Sequence, residues 1–126
     1  MQSLLLVALG GALGSVARFK LSGWVLHQTP NWRFPAGTLA VNLTGCFIAG
    51  LLAGMAVKHE FFSAEARLFL FTGLLGGFTT FSAFGLETLL LLKRGDAGVA
   101  FANVAISVVI GLLVAWLGYG MAARGA

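Results

Sequence analysis

The sequence predicts an all-α integral membrane four-helix bundle whose third helix is broken. Three observations predict it. Hydrophobic residues make up 59% of the 126 and charged residues 10%, against about 45–50% and about 25% in soluble domains. Four apolar runs are long enough to cross a bilayer. Glycines and hydroxyl residues gather in the middle of the third run. The 18 glycines and three tryptophans agree, since glycine is commoner in membrane helices and tryptophan collects at membrane interfaces.

A span needs about 20 mostly apolar residues to cross a hydrocarbon core of about 30 Å. The first covers residues 4–26, with Arg18 and Lys20 towards its far end. It lacks a basic n-region and three more apolar segments follow it, so it is expected to be a retained span rather than a cleavable signal peptide. A polar, proline-containing stretch, 28–35, separates it from the second span, 35–57, which carries no charge. The third runs over 67–92, past Glu87, and the uncharged fourth over 97–123. Stretches 58–66 and 93–96 connect them, and the whole chain, 1–126, is one transmembrane domain.

The net charge of +4 comes from eight basic residues scattered at segment ends, which suits interface anchors and not the continuous stripe that nucleic acid requires. Cys46 is the only cysteine, and His27 and His59 are far apart. No disulfide, zinc site or Cys/His dyad can be built within one chain. With no nucleophile–base pair or metal cluster either, the chain is not expected to be an enzyme.

Four spans leave both ends on one side. Lys58, Arg67 and Arg124 then oppose Arg18, Lys20, Arg33, Lys93 and Arg94, too small a bias to fix one orientation by the positive-inside rule. Dual topology is expected, with copies inserted both ways and paired antiparallel.

Lipid gives no hydrophobic drive for helix association, so stripes of small residues mark where helices meet. Gly10 and Gly14 form one, with Arg18 a turn further on. Thr38, Asn42, Cys46, Gly50 and Gly54 form a second, polar at its start. Gly50 and Gly54 suit packing alone, whereas the Asn42 amide needs polar partners in hydrocarbon. In the fourth span Asn103, Ser107 and Gly111 share the same spacing. A serine can bond back to the carbonyl four residues earlier, but its alignment with Asn103 makes a second polar track.

The third span reads Thr72-Gly73-Leu74-Leu75-Gly76-Gly77-Phe78-Thr79-Thr80-Phe81-Ser82-Ala83-Phe84-Gly85. Each glycine costs about 1 kcal/mol against alanine in a helix, and two β-branched threonines follow. A break is expected in this stretch, around Gly76 to Phe84. Irregular backbone at membrane depth persists only when buried in protein or lining a cavity, where it offers carbonyls to a cation and a helix N-terminus to an anion. Phe81 and Phe84 fall on one helical face near Ser82. Such a pair usually packs a core, but the positive edges of two rings can also receive an anion.

At these residues the chain resembles the small dual-topology fluoride channels of the Fluc or CrcB family. The likeness runs through Gly10-Gly11-Ala12-Leu13-Gly14 with Arg18, then Gly37-Thr38-Leu39-Ala40-Val41-Asn42-Leu43, then Thr72-Gly73 to Phe84 and Glu87. The resemblance implies an antiparallel homodimer with two symmetric pores, its two breaks meeting at the twofold axis. There the backbone carbonyls of Gly76 and Thr79 would hold a structural sodium ion (Na+) that is not transported, a site that needs no carboxylates. The rings of Phe81 and Phe84 would form the box past which fluoride moves, with Asn42 reaching into the path. The implied polar track takes in Thr38, Ser82, Ser107 and Glu87. Ala83 stands where threonine is usual, Gly85 where serine is usual, and Gly111 where some members have serine.

The function implied is passive export of fluoride through the bacterial plasma (inner) membrane. The alternative is a small dual-topology proton-coupled multidrug exporter. Such an exporter calls for a carboxylate in its first span, and residues 4–26 contain none. Glu87 is the one acid within any span, and it lies past the break.

Overall fold

The computed structural model describes residues 1–59 and 62–124. Helix α1 is Gln2–Gln28 and α2 is Ala36–His59. The third span is composite: α3 (Ala64–Arg67), a π-helical segment (Leu68–Leu75), α4 (Gly76–Phe78) and, after a break, α5 (Phe81–Lys93). Helix α6 is Ala97–Ala123, and the described residues include no strand. The expected connection 58–66 contains residues 60 and 61, which lie outside the described residues.

Each helix end has a local cause. A helix of 27 residues rises about 40 Å, more than the hydrocarbon core, so α1 runs beyond the apolar stretch 4–26 at both ends. The hydroxyl of Ser63 accepts the Ala66 N–H at 3.1 Å and starts the third span, three residues earlier than the apolar pattern alone predicts. Helix α5 is closed by Gly95, just past its end, whose φ of 86° is open to glycine and strained for other residues. The Gly95 N–H bonds to the Leu92 carbonyl at 3.1 Å and the Asp96 N–H to the Leu91 carbonyl at 2.8 Å. This paired Schellman closure satisfies two end carbonyls of α5 and turns the chain into α6.

The helices associate as two close pairs, α1 with the third span and α2 with α6. Small residues make both approaches possible. A methyl group added at Gly77 would stand 2.5 Å from the Gly11 carbonyl oxygen, and one at Gly10 would stand 2.7 Å from that of Phe69. In the other pair, a methyl at Gly118 would meet the Phe47 carbonyl at 2.6 Å. Backbone against backbone supplies the dispersion contact that lipid cannot drive. Outside these seams Leu9, Leu13, Phe101, Leu112 and Trp116 are exposed, as lipid-facing side chains would be.

The break falls inside the expected stretch, at its two threonines and not at its two glycines. Gly76 is helical, with φ −60° and ψ −39°, and Gly77 also lies within α4. The chain extends at Thr79 (φ −94°, ψ 150°) and Thr80 (φ −147°, ψ 119°). Gly77 is therefore a packing glycine against α1, whereas the extended backbone falls on the residues whose branching favours it. The π segment just before it, wider than an α-helix because its bonds run i to i+5, has no counterpart in the residue pattern.

Candidate functional site

The break is best understood by following its backbone hydrogen bonds, because in hydrocarbon each unpaired group is costly. In a continuous helix the Thr80 N–H would reach the Gly76 carbonyl. Here it donates to Asn42 Oδ1 at 3.2 Å, and Asn42 Nδ2 donates back to the Thr80 carbonyl at 3.3 Å. The Asn42 side chain, projecting from α2, thus pairs with the backbone N–H and C=O of one residue of the third span much as a neighbouring strand would. The Gly77 carbonyl, also released from helical pairing, accepts from Arg18 Nε at 3.2 Å. Thr79 Oγ1 turns back to the Leu75 carbonyl at 2.9 Å.

Helix α5 restarts immediately. Thr80 is its N-cap, the Oγ1 accepting the Ala83 N–H at 3.3 Å and lying 3.1 Å from Ser82 Oγ. Such a cap satisfies one of the free N–H groups of the first turn. With the start fixed, Phe81 and Phe84 come onto one face, ring centroids 5.7 Å apart and planes tilted by 46°. Tilted rings present an edge as well as a face. Phe81 is 83% exposed in the single chain.

Beside the break lies a cavity of about 360 Å³. Asn42, Thr79, Thr80, Phe81, Phe84 and Ser107 line it, with Cys46 and apolar neighbours completing the wall. Residues from three separate spans therefore converge on one space. Gly45 leaves room for the Thr79 methyl, which a methyl at Gly45 would strike.

The other expected residues sit outside this wall. Ser82 is exposed beside the Thr80 hydroxyl. Thr38 donates from its hydroxyl to the Glu87 carboxylate, joining α2 to α5 away from the cavity. Gly76 is exposed within α4, and Gly111 is buried facing Cys46. Asn103, 2% exposed, donates to Thr88 Oγ1 at 3.0 Å, and Thr88 in turn donates to the Phe84 carbonyl at 2.8 Å. That relay braces α5 against α6. Among the described residues no buried side-chain nitrogen or oxygen lacks a partner.

Residue pattern marked Thr80 only as a β-branched residue after the glycines, and did not single out Thr88 or Gly45. For Thr80 the signal was present, since a threonine directly before a resuming helix is a capping signature. Nothing in spacing marks Thr88 or Gly45, whose roles arise only where separate helices meet.

A carbonyl cation site fits the break. The Gly76 carbonyl has lost its usual donor to Asn42, and Thr79, outside both helices, has a carbonyl that neither helical ladder uses. Among the described residues no three His, Cys, Asp or Glu side chains gather.

Residues 5–119 match the family described as CrcB-like protein, Camphor Resistance (CrcB). A protein of Methylobacillus flagellatus named fluoride-specific ion channel FluC is 57% identical over 119 residues, 94% of this chain and 93% of its own length. A protein of the same name from Opitutus terrae is 50% identical, covering 91% of this chain and 88% of its own. Another from Thermus thermophilus is 50% identical, covering 91% and 89%. The four helices long and apolar enough to cross a membrane among the described residues, together with these bacterial relatives, make this a multi-pass bacterial membrane protein.

Proposed function

The chain belongs to the CrcB family, and from that premise we propose that it is a fluoride-selective channel, working as an antiparallel homodimer that lets fluoride leave the cell passively. The observation that carries this reading is the convergence of Asn42, Phe81, Phe84 and Ser107 on one cavity at the break. Relatives up to 57% identical bear the name fluoride-specific ion channel, and family membership leaves the multidrug exporter without support.

Fluoride is small and holds its water tightly, so a selective path must replace that water with donors. The Asn42 amide has one Nδ2 hydrogen left after its bond to Thr80. The Ser107 hydroxyl supplies another donor, and the edges of Phe81 and Phe84 supply weak positive potential without a formal charge. A path of this kind holds the ion loosely enough for release, which conduction requires. An inside-negative potential drives an anion outward by about 2.3 kcal/mol per 100 mV.

The Phe81 ring, which lines the cavity and is exposed in the single chain, supports a second copy closing the path. The carbonyls of Gly76 and Thr79 would hold the structural sodium ion, which fixes the two breaks and does not move. Efflux of fluoride from proteoliposomes, followed with a fluoride electrode, tests the channel. Rapid efflux above protein-free vesicles is expected, and background efflux overturns it.

A further inference from the structure

We propose that Thr80 is a positioning residue for selectivity, its hydroxyl holding the peptide that orients Asn42. The inference rests on the channel reading above and goes beyond the residues that reading uses.

Asn42 presents two unlike ends, an oxygen that repels an anion and an NH2 group that attracts one. Which end faces the cavity depends on what the amide is paired with. The Thr80 peptide decides it by offering N–H to Oδ1 at 3.2 Å and its carbonyl to Nδ2 at 3.3 Å. This reciprocal pair satisfies only one of the two possible amide orientations. The remaining Nδ2 hydrogen belongs to a side chain that lines the cavity.

The Thr80 peptide is not itself in a helix, so something must hold it. Its own hydroxyl does, by accepting the Ala83 N–H at 3.3 Å as the N-cap of α5. One side chain therefore ties the extended backbone at ψ 119° to the first turn of the helix that carries Phe81 and Phe84. Without the cap, the first turn loosens and the Thr80 peptide is free to rotate away from Asn42. The amide can then turn its oxygen towards the path, which penalises fluoride and relaxes the exclusion of larger anions.

The chemistry separates hydroxyl from shape. Thr80→Val keeps the branching that favours extended backbone but has no acceptor, whereas Thr80→Ser keeps the acceptor and loses the methyl. Full-length wild type, T80S, T80V and T80A are reconstituted in liposomes, and fluoride and chloride efflux are measured in parallel. T80S is expected to retain at least about half of wild-type fluoride flux. T80V is expected to lose about fivefold or more, the population shift that a cap of ordinary strength sustains, and to pass chloride at a raised ratio to fluoride.

Wild-type flux and selectivity in T80V, or an equal loss in T80S and T80V, overturns the inference. A loss of flux in T80V with the chloride ratio unchanged overturns it as well, since that is what a purely structural role gives. T80A takes the place of T80V if the valine variant does not assemble. If neither assembles while T80S does, the hydroxyl serves assembly and not selectivity, and the inference is wrong; it is equally wrong if T80S also fails. A wild-type protein that passes no fluoride overturns the channel reading itself, and with it this one.

Discussion

Asn42 and Thr80 exchange two hydrogen bonds across 38 residues of sequence, at 3.2 and 3.3 Å, and so close the gap in the third span with a side chain from the second. Asn42→Asp keeps the acceptor for the Thr80 N–H and loses the donor to its carbonyl. It also places a negative charge on the proposed path. At about 4 Å and an effective dielectric near 20, repulsion of a passing anion is about 4 kcal/mol, roughly three orders of magnitude in rate. Fluoride flux in N42D is expected to fall to background while the size of the detergent-solubilised assembly, read by light scattering, stays as in wild type.

Phe81→Ile preserves bulk and hydrophobicity and removes the ring. The quadrupole that attracts a desolvated cation to its face by about 2 kcal/mol attracts an anion to its edge, so at least about tenfold loss of flux is expected. Thermal stability in detergent should barely move, because isoleucine presents a similar apolar surface.

The two adjacent glycines should behave differently. Gly77→Ala drives a methyl to 2.5 Å from the Gly11 carbonyl, and overpacking of this kind costs about 1–3 kcal/mol. G77A is expected to lower the unfolding temperature and the yield of assembled protein. At Gly76 the nearest atom to an added methyl is the Phe71 carbonyl at 3.7 Å, an ordinary contact. G76A should assemble and, since its carbonyl is unchanged, should keep whatever dependence on sodium the wild type has.

That dependence is a prediction in its own right. If the Gly76 and Thr79 carbonyls hold sodium, replacing it on both sides with a large organic cation removes the charge that fixes them. Proteoliposome fluoride efflux should then drop and recover when sodium is restored. Equal efflux in the two media would remove the cation from the account.

The spans were legible because a bilayer imposes length and polarity limits that composition must meet, and 97–123 shows this plainly: the apolar run and α6 share their bounds. The break was legible in kind and in place, within 76–84, but not in which of its residues leave the helix. Glycine weakens a helix in isolation, but Gly77 meets the α1 backbone, and that tertiary contact decides its role. The convergence on the cavity was only half visible, since Asn42 and Ser107 stand out as amide and hydroxyl in apolar spans. Their partners do not, because the Thr80 peptide and the Gly77 carbonyl are backbone groups that every residue has. Ser82, Thr38 and Glu87 share the polar character of the cavity residues, and only the three-dimensional arrangement separates them from its wall.

The central claim is that the protein passes fluoride and excludes chloride through this break. Vesicles loaded with equal concentrations of the two salts and reconstituted with the wild-type chain should release fluoride rapidly and hold their chloride. Equal release of both ions, or release of neither, would contradict the account.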